Sequence, residues 1–157
     1  MSVYRKAIDL LTGVVEPDCK EAFQNPESLR HAYHFCVSLH SLRDWVFEDF
    51  SSQPGWTCGD DLGAFQKYLE RRCPEFAIIS DAANSAKHSV LKSPSKTGGV
   101  GGADHMALYG SWAISGGPIS SAPTLEIVVG DKVYPLLHTA ERVLFMWRQL
   151  FAENNWG

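Results

Sequence analysis

The chain has no stretch of roughly 18 consecutive apolar residues, so no helical membrane span is expected. It has no C-x-x-C pair: Cys19, Cys36, Cys58 and Cys73 stand far apart. That spacing argues against a zinc ribbon and against a disulfide framework, and reduced thiols in a cytoplasmic protein are expected. It has no surplus of cations either. Fourteen Lys and Arg against 18 Asp and Glu leave a formal charge of −4. This speaks against broad, sequence-independent binding to phosphate backbones, although a local basic patch stays compatible with it. The opening MSVYRKAIDLLTGVVEPD meets Asp9, Glu16 and Asp18 too early, and lacks a small-residue cleavage site, so a signal peptide is not expected.

What is present suits one ordinary globular domain over residues 1–157. Apolar residues make up 45% and charged residues 20%, and the five Trp supply large surfaces to bury. Tyr4, Ala7, Ile8, Leu11 and Val15 recur at helical spacing and predict a first helix over about 3–14. Asn25 as cap and Pro26 in the first turn predict the start of a long second helix ending near Phe50, before Ser51, Ser52, Pro54 and Gly55. Cys36 falls on its apolar side, as a buried thiol acting as a small hydrophobe. Asp60 or Asp61 caps a shorter helix, LGAFQKYLERR. Cys73-Pro74 breaks the chain before EFAIISDAANSAKHSVL, another helix. Residues 93–104, SPSKTGGVGGAD, read as a flexible connector. From about 105 to 134 the period becomes that of β-strands, with a turn at Gly130-Asp131. Pro135 then opens a final helix with Leu136, Ala140, Val143, Leu144, Trp147, Leu150 and Phe151 as its apolar stripe. The expected fold is mainly α with a small antiparallel β-meander, a four- to five-helix bundle with a β-appendage. No internal repeat is visible.

One helix carries unexpected chemistry. With about 100° per residue, and Asp81 set at zero, Asn84 falls near 300° and His88 near 340°. An acid, an amide and an imidazole therefore share one face, while Phe76, Ile79, Ala83 and Ala86 form an apolar stripe on the other. The carboxylate can orient His88 and raise its basicity, and the amide can hold a ligand oxygen. The competing reading is architectural: Asp81 braces a neighbouring element, Asn84 bonds the backbone of the β-appendage, and His88 ends the helix near its negative pole. Lys87 lies near 240°, away from the stripe, and reads as solvated.

Cys73-Pro74, Ile78-Ile79 and D-A-A-N-S-A-K-H from Asp81 to His88 resemble a group of small uncharacterised bacterial and phage proteins. Those carry a D-x-A-N-x-x-K-H motif followed by strands and a final Trp-bearing helix. More remotely the chain resembles HEPN domains, helical bundles that act as metal-independent ribonucleases in toxin–antitoxin and phage-defence systems and commonly pair through their helices. The resemblance implies a homodimer or a protein partner, no cofactor and no metal, with Asp81, Asn84, Lys87 and His88 as binding residues. A HEPN nuclease carries Arg, usually followed by Asn, and His a few residues later. Aligned on Asn84 and His88, that Arg falls at Ala83. The guanidinium that would stabilise charge on a scissile phosphate is missing there, and Asp81 would repel phosphate. The resemblance thus implies a non-catalytic binding or oligomerisation module. Its alternative is a ribonuclease with His88, Asn84 and Asp81 as candidate catalytic groups and an arginine supplied by another helix, Arg43 or Arg72.

Other motifs lead nowhere by their spacing. KTGGVGG places its Lys-Thr pair before the glycines, not after them as a phosphate loop requires. His31 and His34 lie three apart on one helix without a third ligand, and read as a partly exposed pair. His40, His105 and His138 are isolated. No Ser sits in a G-x-S-x-G elbow. Cys58, among Gly55, Trp56 and Gly59, is placed in an open loop with nothing nearby in sequence to lower its pKa. Trp45, Trp112 and Trp147 are expected as core anchors, and Trp56 and Trp156 as exposed.

Overall fold

The computed structural model describes residues 6–87, 108–110, 125–129 and 132–157. The expected connector at 93–104, His88, His105, Trp112 and the turn at Gly130-Asp131 lie outside these residues.

The first helical segment runs further than its apolar pattern predicts. Helix α1 (Ala7–Leu10) passes through a π-helical turn (Leu11–Val15) into α2 (Glu16–Gln24) without a break. Pro17 explains the detour. In a regular α-helix its ring collides with the carbonyl four residues back, and it has no N–H to offer. The wider π turn, in which the Glu16 N–H reaches back five residues to the Leu11 carbonyl, accommodates it.

The expected start of the next helix at Asn25-Pro26 is also corrected. Asn25 closes α2 instead: its N–H bonds the Glu21 and Ala22 carbonyls, and its side-chain amide donates to the Glu21 carbonyl. Helix α3 (Leu29–Phe50) starts after Ser28, whose hydroxyl accepts the His31 N–H. Its end at Phe50 matches the sequence expectation. Asp61 caps α4 (Leu62–Arg72) by accepting the Ala64 N–H at 2.7 Å. Helix α5 (Glu75–Lys87) follows Cys73-Pro74.

Three short antiparallel strands, β1 (Leu108–Gly110), β2 (Leu125–Val129) and β3 (Lys132–Pro135), form one sheet in that order. Ile127 pairs with both Leu108 and Tyr134. The alternation of β2 turns Leu125, Ile127 and Val129 toward the core, and β2 and β3 pack on α6 (Leu136–Asn154). The protein is thus mainly helical with a small antiparallel sheet, as its patterning predicts. Among the described residues no helix is long and apolar enough to cross a membrane.

Helices α3 and α5 form the most extensive pair, with α6 laid against both. Trp147, Phe35, Phe65 and Phe76 are fully buried between them. Surface ion pairs tie α6 to its neighbours: Arg148 to Glu16, Arg142 to Glu75, and Arg72 to Glu153. Exposed pairs of this kind contribute little, about 0–1 kcal/mol each, and fix orientation more than stability.

Candidate functional site

Helix α5 does not have one buried and one solvent face. Ile78, Ile79, Ser80, Asp81, Ala82 and Ala83 are all buried, so its middle is enclosed around the full circumference. The helical wheel places Asp81 opposite the apolar stripe correctly, but the side opposite is also interior. Asp81 is 2% exposed and Ala83 is 0%. Asn84, one turn on, is half-buried. Lys87 closes the helix; its side chain lies outside the described structure. Of the predicted stripe, the structure therefore brings Asp81 into the core and leaves Asn84 at its edge.

The polar group beside this stripe is one that the sequence did not single out. Ser80 is fully buried, and its Oγ lies 3.2 Å from His40 Nδ1 on α3. The side-chain amide of Gln66, on α4, donates to the same Oγ at 3.2 Å and to Glu70 Oε1 at 2.6 Å. Gln66 Oε1 in turn accepts from Arg43 Nη1 at 2.8 Å. The amide of Gln66 thus makes three hydrogen bonds to three side chains, close to its full capacity. Arg43 directs its Nε and remaining amino group at Asp44. His40 is 5% exposed, and its ring stacks on Phe76 with centroids 6.3 Å apart. One polar chain, Arg43–Gln66–Ser80–His40, therefore pins α3, α4 and α5 together.

Ser next to a His nitrogen is the geometry of an activated nucleophile. Here it cannot act as one, because Ser80 has no exposed surface and His40 is walled by Phe76. The network is architecture: partnered polar groups in a low-dielectric interior, each held by the others. A local signal existed. Gln66 and Glu70 are four apart and His40 and Arg43 three apart, each pair on one helical face. That the two faces meet at Ser80 is a tertiary fact with no local trace.

The other candidates separate clearly. Arg72 is engaged with Glu153 on α6. His34 is exposed, while His31 accepts an N–H from Arg30 on Nε2 and keeps a buried, unpartnered Nδ1. His138 is exposed beside Glu141. Among the described residues no three His, Cys, Asp or Glu side chains gather as metal ligands.

Two aromatic and thiol expectations are corrected. Cys58 is 4% exposed and Trp156 is 6%. Both belong to a cluster in which Trp156 stacks between Phe50 and Trp56, an arrangement made by loop and C-terminal packing with no periodicity to announce it. Trp45 is only partly buried, whereas Trp147 is fully buried as expected. Burial pushes the Cys36 thiol up to about 12. Cys73 is pushed up to about 11, chiefly by burial and then by Glu75. Neither is a thiolate nucleophile at neutral pH.

Comparison of the chain with protein-family models, with curated proteins and with solved structures finds no match.

Proposed function

We propose that this chain is a HEPN-like, non-catalytic binding or oligomerisation module, working as a cytoplasmic homodimer or with a protein partner. The observation that carries this reading is the burial of Ala83 and Asp81 in the middle of α5. A HEPN ribonuclease would present an arginine to a scissile phosphate from the place of Ala83. Here that place holds a methyl group with no exposed surface. A phosphate reaching it would have to displace packed side chains and approach the Asp81 carboxyl. Asp81 then serves the architecture of α5, and contact with a partner falls to the last turn of the motif: Asn84, Lys87 and His88.

The expected result with purified protein and total RNA is no cleavage. Sedimentation analysis is expected to show a dimer that weakens in the double variant Asn84→Ala/His88→Ala. RNA cleavage that disappears in His88→Ala would overturn this reading in favour of the ribonuclease, with Arg43 as the source of positive charge. A monomer that binds no partner, with Asn84→Ala lowering the melting temperature by several degrees, would leave the stripe purely structural.

A further inference from the structure

Two long helices end at the same small cavity. Helix α3, 22 residues long, stops at Phe50, and α6, 19 residues long, stops at Asn154. Between these ends lies a cavity of about 100 Å³, walled by Phe50, Gln53, Trp56, Thr57, Asn154 and Asn155. Each helix C-terminus carries a partial negative charge, about half an elementary charge, on its last carbonyls. Such ends are commonly offset by Lys, Arg or His in the last turn. Neither α3 nor α6 carries one of its own there; Arg72 of α4 reaches the last turn of α6 only as the ion-pair partner of Glu153, and among the described residues no cationic side chain lines the cavity.

The amides at the rim are turned the same way. Gln53 Nε2 donates to the Asp49 carbonyl at 2.8 Å, and Asn154 Nδ2 donates to the Leu150 carbonyl at 2.9 Å. Each amide nitrogen is tied back into its own helix end, which leaves the amide oxygens as the groups on offer. The Trp56 indole N–H is committed to the Gly59 carbonyl at 2.6 Å. The ring faces are also taken: Trp156 lies between Phe50 (5.2 Å, 18°) and Trp56 (5.7 Å, 25°). The cavity therefore offers acceptors and negative helix ends, not open aromatic faces.

From this geometry we propose that the cavity binds a small organic ammonium ion, with Gln53 Oε1 and Asn154 Oδ1 accepting its N–H groups. An anion meets two repelling helix ends. A neutral alcohol gains the hydrogen bonds without the field. The volume suits a short alkylammonium headgroup, not a nucleotide-sized ligand.

Titration of the full chain with n-butylammonium chloride at constant ionic strength tests this, read on the indole N–H resonances of Trp56 and Trp156. Saturable shifts are expected with butylammonium and not with n-pentanol or butyrate. Gln53→Lys, at an exposed position, places a tethered ammonium at the rim and is expected to weaken the response at least tenfold. Asn154→Asp adds negative charge and is expected to tighten it severalfold. A response that does not saturate, or that pentanol matches, overturns the proposal. So does a well-dispersed Gln53→Lys spectrum with unchanged affinity. Should that variant not fold, an Asn154→Asp affinity equal to or below that of the unaltered chain decides against it.

Discussion

The indole N–H of Trp147 donates to the backbone carbonyl of Leu39, 3.2 Å away and 108 residues earlier in the chain. The same ring meets Phe65 and Phe76 edge-on, at 6.3 and 6.0 Å. One side chain on α6 thus touches α3, α4 and α5 at once, and it has no exposed surface. Replacing it with Ala removes the largest buried ring and the bond to α3 together. A loss of about 3–5 kcal/mol is expected from urea denaturation of Trp147→Ala. A loss below about 1 kcal/mol would mean that the helices do not converge on this ring.

The polar chain around Ser80 makes a second prediction. Ser80→Ala deprives both Gln66 Nε2 and His40 Nδ1 of a partner inside the core. A buried group left without its hydrogen bond destabilises by about 1–3 kcal/mol. Combining Ser80→Ala with Gln66→Leu should cost less than the sum of the two single changes, because each single change already breaks the one Gln66–Ser80 hydrogen bond. Strict additivity in that double-mutant cycle would show that the two side chains do not interact.

Alkaline pH should weaken the fold through its buried thiols. An unfolded chain gives up cysteine protons near the ordinary value of 9.0, whereas the folded state holds Cys73 to about 11 and Cys36 to about 12. The folded pKa values are raised, so this stabilisation is complete below about pH 9 and is lost as the pH climbs toward the folded values. The slope is about 1.4 kcal/mol per pH unit for each thiol in its window. Urea midpoints measured from pH 8 to 11 should fall less steeply in Cys36→Ala than in the unaltered chain. Parallel curves would contradict the burial of Cys36.

Two glycines in one loop should respond differently to alanine. Gly59 has φ +128, and a Cβ there would sit 2.7 Å from the Phe65 nitrogen and 2.8 Å from the Ala64 carbonyl carbon. Backbone atoms at the start of α4 cannot yield easily, so strain and collision add. Gly55 has φ +92 with open space around it, leaving only the conformational penalty, about 1–2 kcal/mol. Gly59→Ala should lower the melting temperature well beyond Gly55→Ala, and equal shifts would contradict the close packing at Gly59.

Much of this architecture is legible in local chemistry. Asp61 as cap, the break at Cys73-Pro74, the change to β period and the opening of α6 at Pro135 all follow from residues within one turn of the event. The misreadings share a cause. Asn25-Pro26 carries a helix-start signature, yet Asn25 satisfies its hydrogen bonds backward and Ser28 is the working cap. Asp81 plots on a polar face, but a helical wheel records direction and not what stands there. Ala7 illustrates the same limit: its N–H is bonded at 2.6 Å by the Asp49 carboxylate, 42 residues downstream. No window of sequence around α1 contains that partner.

The π turn at Leu11–Val15 has a consequence for the lineage and the engineering of this chain. A π turn holds one residue more than the α-helical turn it replaces, so it works as an absorbed insertion. Removing a single residue from 11–15 would not open a gap; it would restore regular α-helical pairing and leave the helix on either side facing as it does now. Ala7 would keep its place beside Asp49, while Pro17 regained its collision with the preceding turn. Position 17 and the extra residue are therefore tied: a chain without the proline tolerates the deletion, and a chain with it keeps the insertion.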